Sequence, residues 1–359
     1  MLWFNCDYNE GAHPRILEKL AQTNLEQTAG YGNDPYCRQA ADLLKTLCKA
    51  PQADVHFLTG GTQTNLTVLA ACSRPYQSII SPISGHINVH ETGAIEATGH
   101  HIEALPQTNG KITAEQIAHV CKAHWEDDNP EFAPQPKTVY LSFPTEYGTL
   151  YSKAQLQAIR RVCDENNLFL FIDGARLGYG LTAAENDVTL PDLAELCDVF
   201  YIGGTKIGAL FGEAVVITNP KLQKDFRYFM KQKGGILAKG RLLGLQFLTL
   251  FEDGLYLQLA KHANEMASRI KVACEAAGFA FLYDSPTNQQ FPIIPNAILR
   301  ELEQTYAFTH ISRVDHKHSA IRICTSWATR PEDVEQLITD ILKLAKESHA
   351  THRVSLIQQ

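Results

Sequence analysis

The sequence predicts an α/β protein with a mostly parallel sheet, helices on both faces, and a smaller C-terminal α+β domain. Two observations predict it. Short apolar runs alternate with longer amphipathic stretches through the first two-thirds of the chain. After about residue 240 this alternation gives way to a long helical stretch and shorter strand-like pieces. The 359 residues suit a large domain over 1–245 and a smaller one over 246–359.

The predicted strands are "VHFLTG" (55–60), "SIISP" (78–82), "TVYLSF" (138–143), "LFLFID" (168–173), "VFYIGG" (199–204) and "AVVIT" (214–218). "SKAQLQAIRRVCDENN" (152–167) reads as a helix, with Ser152 as N-cap and Leu156, Ile159 and Val162 on one face. "EDDNPEFAPQPK" (126–137) reads as a polar, Pro-rich loop. One long helical stretch opens the C-terminal part at 240. Strand-like pieces follow near 279–283, 291–294 and 320–325, and "PEDVEQLITDILKLAKE" makes a closing helix.

Composition narrows the function classes. The chain is 45% hydrophobic and 20% charged, with a formal charge of −7, and no basic run suggests a nucleic-acid surface. "MLWFNCDYNE" lacks the pattern of a signal peptide, and no apolar run is long enough to span a bilayer. The nine cysteines are scattered without a C-x-x-C pair, which fits reduced thiols in a cytoplasmic protein.

Ligands of open α/β sheets bind beyond the carboxyl ends of the strands, so the residues just after each apolar run carry the functional signal. "GGTQTN" (60–65) opens a helix. It is either an ordinary turn capped by Thr62 or Thr64, or a site where free N–H groups meet a phosphate. It is neither G-x-G-x-x-G nor a P-loop. "SPISGHINVHETG" places His86 and His90 four apart, a spacing that metals use on helices. No H-E-x-x-H accompanies them, and no metal site is expected. A histidine here can equally be hydrogen-bonded in the core or lie against a planar ligand.

Two further runs each deliver a charge at the same end, Asp173 in "FLFIDGARLGYGL" and Lys206 in "VFYIGGTKIGALFG". Their separation is about one βα unit plus a strand, so they plausibly share one sheet edge. A structural salt bridge is the simple reading. The glycines at 203, 204 and 208 leave room around the lysine for something bulky. A phosphate cup, an imidazole, a carboxylate and a lysine at strand ends together meet the needs of pyridoxal 5'-phosphate.

The chain resembles the threonine aldolase/β-eliminating lyase family of fold-type I pyridoxal-phosphate enzymes, nearest to its low-specificity L-threonine and phenylserine aldolases. The resemblance rests on "FNCDYN", "GYGNDPYCRQ", "GGTQTN", "SGHINVHETG", "TEYGTLYS", "DGARLGYG", "GGTKIGALFGEAVV" and "KGGILAKGRLLGLQ". It implies a lyase that cleaves a β-hydroxy-α-amino acid to glycine and an aldehyde. Lys206 would be the Schiff-base lysine, Asp173 the partner of the pyridine nitrogen, and His86 the residue stacked on the ring. Gly61 and Thr62 would bind the phosphate. Arg176 would lie near a cofactor oxygen or the substrate carboxylate, and Arg322 would bind that carboxylate. Cys6 stands where the family often has a substrate-contacting serine. Many members carry a histidine in "ENTHN" where this chain has "FPTEYG", so the resemblance assigns no base for the hydroxyl proton. It also implies a homodimer or homotetramer, with "GYGNDPYC" and "KQKGGILAKGR" reaching a neighbouring subunit. The basic residues Lys231, Lys233, Lys239 and Arg241 lie within or just beyond the second segment.

Overall fold

The computed structural model describes the backbone of residues 1–357 and the side chains of residues 1–348. Seven strands form the main sheet: β1 (Asp54–Leu58), β2 (Gln77–Pro82), β3 (His101–Leu105), β4 (Gln135–Ser142), β5 (Phe169–Asp173), β6 (Val199–Gly203) and β7 (Glu213–Ile217). Their order across the sheet is β1-β7-β6-β5-β4-β2-β3. All neighbours pair in parallel except β7, which runs antiparallel to both β1 and β6.

Side chains alternate between two apolar layers, which explains why the strands are apolar on both faces. Leu170, Ile172, Phe200 and Ile202 enter one layer. Phe171, Val199, Tyr201 and Val215 enter the other. All six expected strands are present, and β3 is an addition. β3 is an edge strand with only Ile102 buried, so "HIEAL" lacks the apolar density of its neighbours. The loop expected over 126–137 ends early, because β4 begins at Gln135. Pro136 is accommodated where the β2–β4 register shifts, a place where a missing N–H is tolerated.

The helix expected after Ser152 is α2 (Lys153–Glu165), and Ser152 and Gln155 form a reciprocal capping box. Leu156, Ile159 and Cys163 are its buried residues; Val162 packs only partly against the core. The long helical stretch after 240 is two helices, α3 (Arg241–Phe251) and α4 (Leu255–Ala276). They separate at Gly254, which takes a φ of 68° that favours glycine. An antiparallel sheet follows, with Pro292–Pro295 and Thr309–Arg313 flanking His318–Cys324. The closing helix α5 (Pro331–Ile357) packs against α4. Among the described residues no helix is long and apolar enough to cross a membrane.

Packing is shared across the expected division after residue 245. Leu255, Tyr256, Leu259, Ala260 and Ala263 lie in the core of the large unit, whereas Met266, Ile270 and Cys274 of the same helix lie in that of the small one. The N-terminus also joins the small unit. Leu2–Trp3 pairs with Tyr306–Ala307, and Phe4 is buried beside Tyr306 and Ile323. One helix therefore serves both cores, and the chain begins in the unit in which it ends.

Two glycines set how closely the turns after β5 and β6 approach. Gly203 N–H donates to the Gly174 carbonyl at 2.9 Å. A Cβ on Gly174 would lie 1.8 Å from the Tyr201 carbonyl oxygen, and one on Gly203 would lie 2.4 Å from that of Ala175. Backbone cannot yield as a flexible side chain can. Gly174→Ala is expected to destabilise the protein by about 1–3 kcal/mol or more, the range for overpacking. A urea midpoint equal to wild type would show that these turns have slack.

Candidate active site

The carboxyl ends of β1, β2, β4, β5 and β6 share one edge, and the expected residues gather there. Asp173 ends β5 and is 3% exposed. Its Oδ1 accepts from the Tyr201 hydroxyl at 2.5 Å and the Ala175 N–H at 3.0 Å. Its Oδ2 accepts from the Tyr140 hydroxyl at 2.6 Å and Asn65 Nδ2 at 3.0 Å. Burial by itself would raise the carboxyl's pKa. The charge of His86 and hydrogen bonds from Tyr140, Tyr201 and Ala175 outweigh burial, and the pKa lies below the usual value. Asp173 is therefore held as an anion, the form that keeps a pyridine nitrogen protonated.

His86 lies at the start of a short helical turn after β2. Its Nδ1 sits 2.7 Å from Glu91 Oε1, which also accepts from Asn65 Nδ2 at 2.7 Å. Asn65 thus links the His86–Glu91 pair to Asp173. Burial opposes the imidazolium, but the Glu91 hydrogen bond and surrounding carboxylates more than compensate, raising the His86 pKa. The His86 and His90 rings lie 5.5 Å apart.

Lys206 follows β6, on the strand beside Asp173. No hydrogen bond or ion pair engages its Nζ among the described residues; the nearest ring contact is Tyr8, at 6.0 Å. Burial and the Arg176 charge lower its pKa, which favours the neutral amine needed to attack an aldehyde.

Helix α1 (Gly61–Cys72) begins directly at Gly61, with Gly60 as N-cap. Neither Thr62 nor Thr64 caps it, contrary to the simple reading of the motif. The first helical bond runs from Thr64 N–H to the Gly60 carbonyl, so the N–H groups of Gly61, Thr62 and Gln63 precede it. A Cβ on Gly60 would meet nothing within 4 Å, so the approach to these donors is open. Gln63 braces the turn by accepting from Thr59 N–H at 3.1 Å and donating to the Lys233 carbonyl at 3.1 Å. These features fit a phosphate.

Two arginines occupy different settings. Arg176 is paired with fully buried Asp7 through Nε–Oδ2 at 2.7 Å and Nη2–Oδ1 at 3.0 Å. Burial opposes the Asp7 charge, but Arg176 holds the carboxyl down to about 2. Among the described residues only Nη1 of Arg176 is left without a partner, which narrows what it can offer a ligand. Arg322 has no carboxylate partner among the described residues. It donates to Gln289 Oε1 at 3.2 Å and the Asn5 carbonyl at 2.9 Å, and its Nε is buried without a partner. An unneutralised guanidinium of this kind suits an incoming carboxylate. Cys6 Sγ donates to Asn9 Oδ1 at 3.0 Å.

The sequence reading missed several members of this site. Tyr140 and Tyr201 look like ordinary core aromatics inside apolar strands, and only cross-strand packing aims their hydroxyls at Asp173. Glu213 was missed for a topological reason: it begins β7 rather than ending it. Because β7 runs backwards, Glu213 pairs with Gly203 and Leu58 at the same edge as Lys206. Its Oε1 accepts from Thr205 Oγ1 at 2.9 Å and its Oε2 from Gly204 N–H at 3.2 Å. Burial pushes its pKa up to about 8, against the counter-effects of Thr205 and Lys206.

Comparison with known proteins agrees with this geometry. The family model described as "Beta-eliminating lyase" matches residues 7–296. The chain belongs to the β-eliminating lyase family. The low specificity L-threonine aldolase of a Pseudomonas species is 30% identical over 94% of this chain and 96% of its own. The structure of the threonine aldolase of Leishmania major is 42% identical and superposes with a TM-score of 0.93, covering 96% of this chain and 100% of that one. A Thermus thermophilus aspartate aminotransferase, at 14% identity and a TM-score of 0.70, covers 96% of this chain and 91% of its own and shares the fold. In this β-eliminating lyase family member, Arg322 lies beyond the matched residues, so its role rests on geometry.

Glu213→Gln keeps the shape and removes the titration. A carboxyl raised from 4.5 to about 8 in the fold contributes stability that is complete below pH 4.5 and lost as pH rises through 8. Wild type is therefore expected to lose roughly 2–5 kcal/mol relative to Glu213→Gln between pH 4.5 and 8.5. Urea unfolding of both proteins at each pH checks this. A constant difference would mean that Glu213 is ionised at neutral pH.

Proposed function

We propose that this enzyme cleaves a β-hydroxy-α-amino acid of the threonine, allo-threonine or phenylserine type to glycine and an aldehyde, with pyridoxal 5'-phosphate as cofactor. The observation that carries the reading is the pairing, on adjacent strand ends, of a carboxylate locked as an anion with a lysine that has no protein partner. A structural salt bridge would have joined the two directly. Instead each is prepared for a group that lies between them.

The residues present fit that cofactor. Lys206 would hold its aldehyde carbon, Asp173 its ring nitrogen, and the N–H groups of Gly61 and Thr62 its phosphate. His86, oriented by Glu91, would lie on the ring face. When bound, the cofactor supplies an electron sink for the bond broken at the substrate Cα. The chain's own work is orientation and charge. Arg322 would anchor the substrate carboxylate, fixing which Cα bond stands perpendicular to the ring. Arg176, tied down by Asp7, offers one remaining nitrogen to the same region.

Nine buried, unpaired cysteines support a reducing, cytoplasmic setting. A homodimer or homotetramer is also part of the proposal. Two segments expected to reach a neighbour pack on one another: Tyr31 N–H donates to the Ala238 carbonyl at 3.2 Å, and Lys231 lies over the Tyr31 ring at 5.3 Å. Such a joint surface could present both segments to one partner. Light scattering is expected to give at least twice the 39.9 kDa chain mass.

The decisive assay offers L-threonine, L-allo-threonine, both phenylserine diastereomers and L-serine, and measures glycine, aldehyde and ammonia. Glycine with aldehyde is expected; ammonia with a keto acid would instead make this an eliminating lyase. Borohydride should fix the cofactor on Lys206, and a label mapped to another lysine would sink that assignment. Arg322→Ala is expected to raise KM about 10–100-fold while retaining cofactor, the scale of a lost charged hydrogen-bond pair. Unchanged kinetics would remove Arg322 from the site.

A further inference from the structure

We infer that Glu146 is the catalytic base that takes the proton from the substrate's β-hydroxyl. This rests on the aldolase reading above. Asp7, Glu146 and Asp173 all lie close enough to act on the Lys206 charge, as does Glu213. Two of the first three are already committed. Asp7 is bound by Arg176 and by Asn288 Nδ2 at 3.0 Å, and Asp173 receives four hydrogen bonds. Glu146 has one hydrogen bond, to its Oε1 from Ser142 Oγ at 3.1 Å, and its Oε2 has no partner among the described residues. The other acids near this edge are closed off. Glu91 is 5% exposed, holds His86 and Asn65 through Oε1 and has its partnerless Oε2 buried away from solvent, and Glu213 is 3% exposed and holds Thr205 and Gly204.

The position of Glu146 is built rather than incidental. Ser142, its donor, is the register partner of Asp173 on the adjacent strand. Phe143 N–H donates to the Asp173 carbonyl at 2.8 Å, so the loop leaves the sheet at the site itself. Beyond it, Thr145 N–H donates to the Thr149 carbonyl at 2.9 Å, and the two hydroxyls lie 2.7 Å apart. Tyr147 stacks on Tyr283 at 3.9 Å, and Gly148 accepts from Ser285 and Thr287. Both neighbours of Glu146 are thus fixed, while its own side chain is half-buried and close enough to His86, His90 and Arg176 for its charge to act on each.

In the step assigned to it, Glu146 accepts the hydroxyl proton. The O–H electron pair becomes the second bond of the aldehyde carbonyl. The Cα–Cβ bond breaks, and its pair stays with Cα, for which the cofactor would supply the electron sink. Cα then takes a proton from solvent to give glycine, and Glu146 releases its proton to solvent. Atoms and electrons balance without an oxidant or reductant.

The test separates hydroxyl deprotonation from everything else the site does. Glu146→Gln should lower kcat for L-threonine cleavage about 100-fold or more, the scale of a lost general base. Exchange of the glycine α-hydrogen in D2O, followed by NMR, needs the same cofactor and anchors but no hydroxyl proton, and should stay within about threefold of wild type. Calorimetry adds a binding readout: any preference of wild type for L-threonine over L-2-aminobutyrate should shrink toward one in Glu146→Ala. His90→Asn should retain cleavage. Equal loss of cleavage and exchange in Glu146→Gln would make Glu146 merely structural and overturn the assignment. So would wild-type cleavage in Glu146→Gln, or a selective loss in His90→Asn. A wild-type protein that exchanges glycine but cleaves no β-hydroxy amino acid would instead sink the aldolase reading.

Discussion

Everything at the sheet edge depends on keeping Asp173 charged while it is almost wholly removed from water. An isolated buried carboxylate would take up a proton, and a neutral acid could not hold a protonated ring nitrogen. Four donors from different parts of the chain prevent this: Asn65 on α1, Tyr140 on β4, Tyr201 on β6, and the Ala175 backbone. Helix α1, two neighbouring strands and the turn after β5 must therefore be in register before the carboxylate is stabilised. Cofactor chemistry and correct sheet assembly are coupled through one side chain.

Around that centre the charges are divided by role. Buried acids whose oxygens are engaged by donors orient other groups. Asp7 fixes Arg176, Glu91 fixes His86, and Glu213, pushed toward its neutral form, ties the turn that carries Lys206. The groups proposed to meet a ligand are among those left short of partners: Lys206, Arg322, the first N–H groups of α1, and one oxygen of Glu146. The distinction is one of hydrogen-bond satisfaction, because an unsatisfied polar group near a cleft is costly unless a ligand or water completes it.

The main strands and most of the candidate site residues were legible because strands buried on both faces must be apolar, so a charge at the end of such a run stands out. Asp173, Lys206 and the glycine loop were visible for that reason, and the family motifs placed His86, Arg176 and Arg322 beside them. Edge strand β3 was not, because an edge strand need bury only one or two residues. How the chain is shared between the two cores was not legible either. A single helix, Leu255–Ala276, packs one end into each core, and periodicity along a helix does not say which core a face meets.

By itself the sequence determined the layered α/β plan and the chemical inventory: a lysine, an aspartate, an imidazole, a phosphate turn and two arginines. Those follow from local rules, since apolar periodicity and strand-end charges are properties of neighbouring residues. Only the tertiary structure decided which polar groups are spoken for. Tyr140, Tyr201 and Asn65 meet Asp173 across strands and from a helix. Glu213 reaches the site because its strand runs backwards, and Arg176 is held by an acid 169 residues away. Partnership depends on long-range register and burial, which no local pattern encodes.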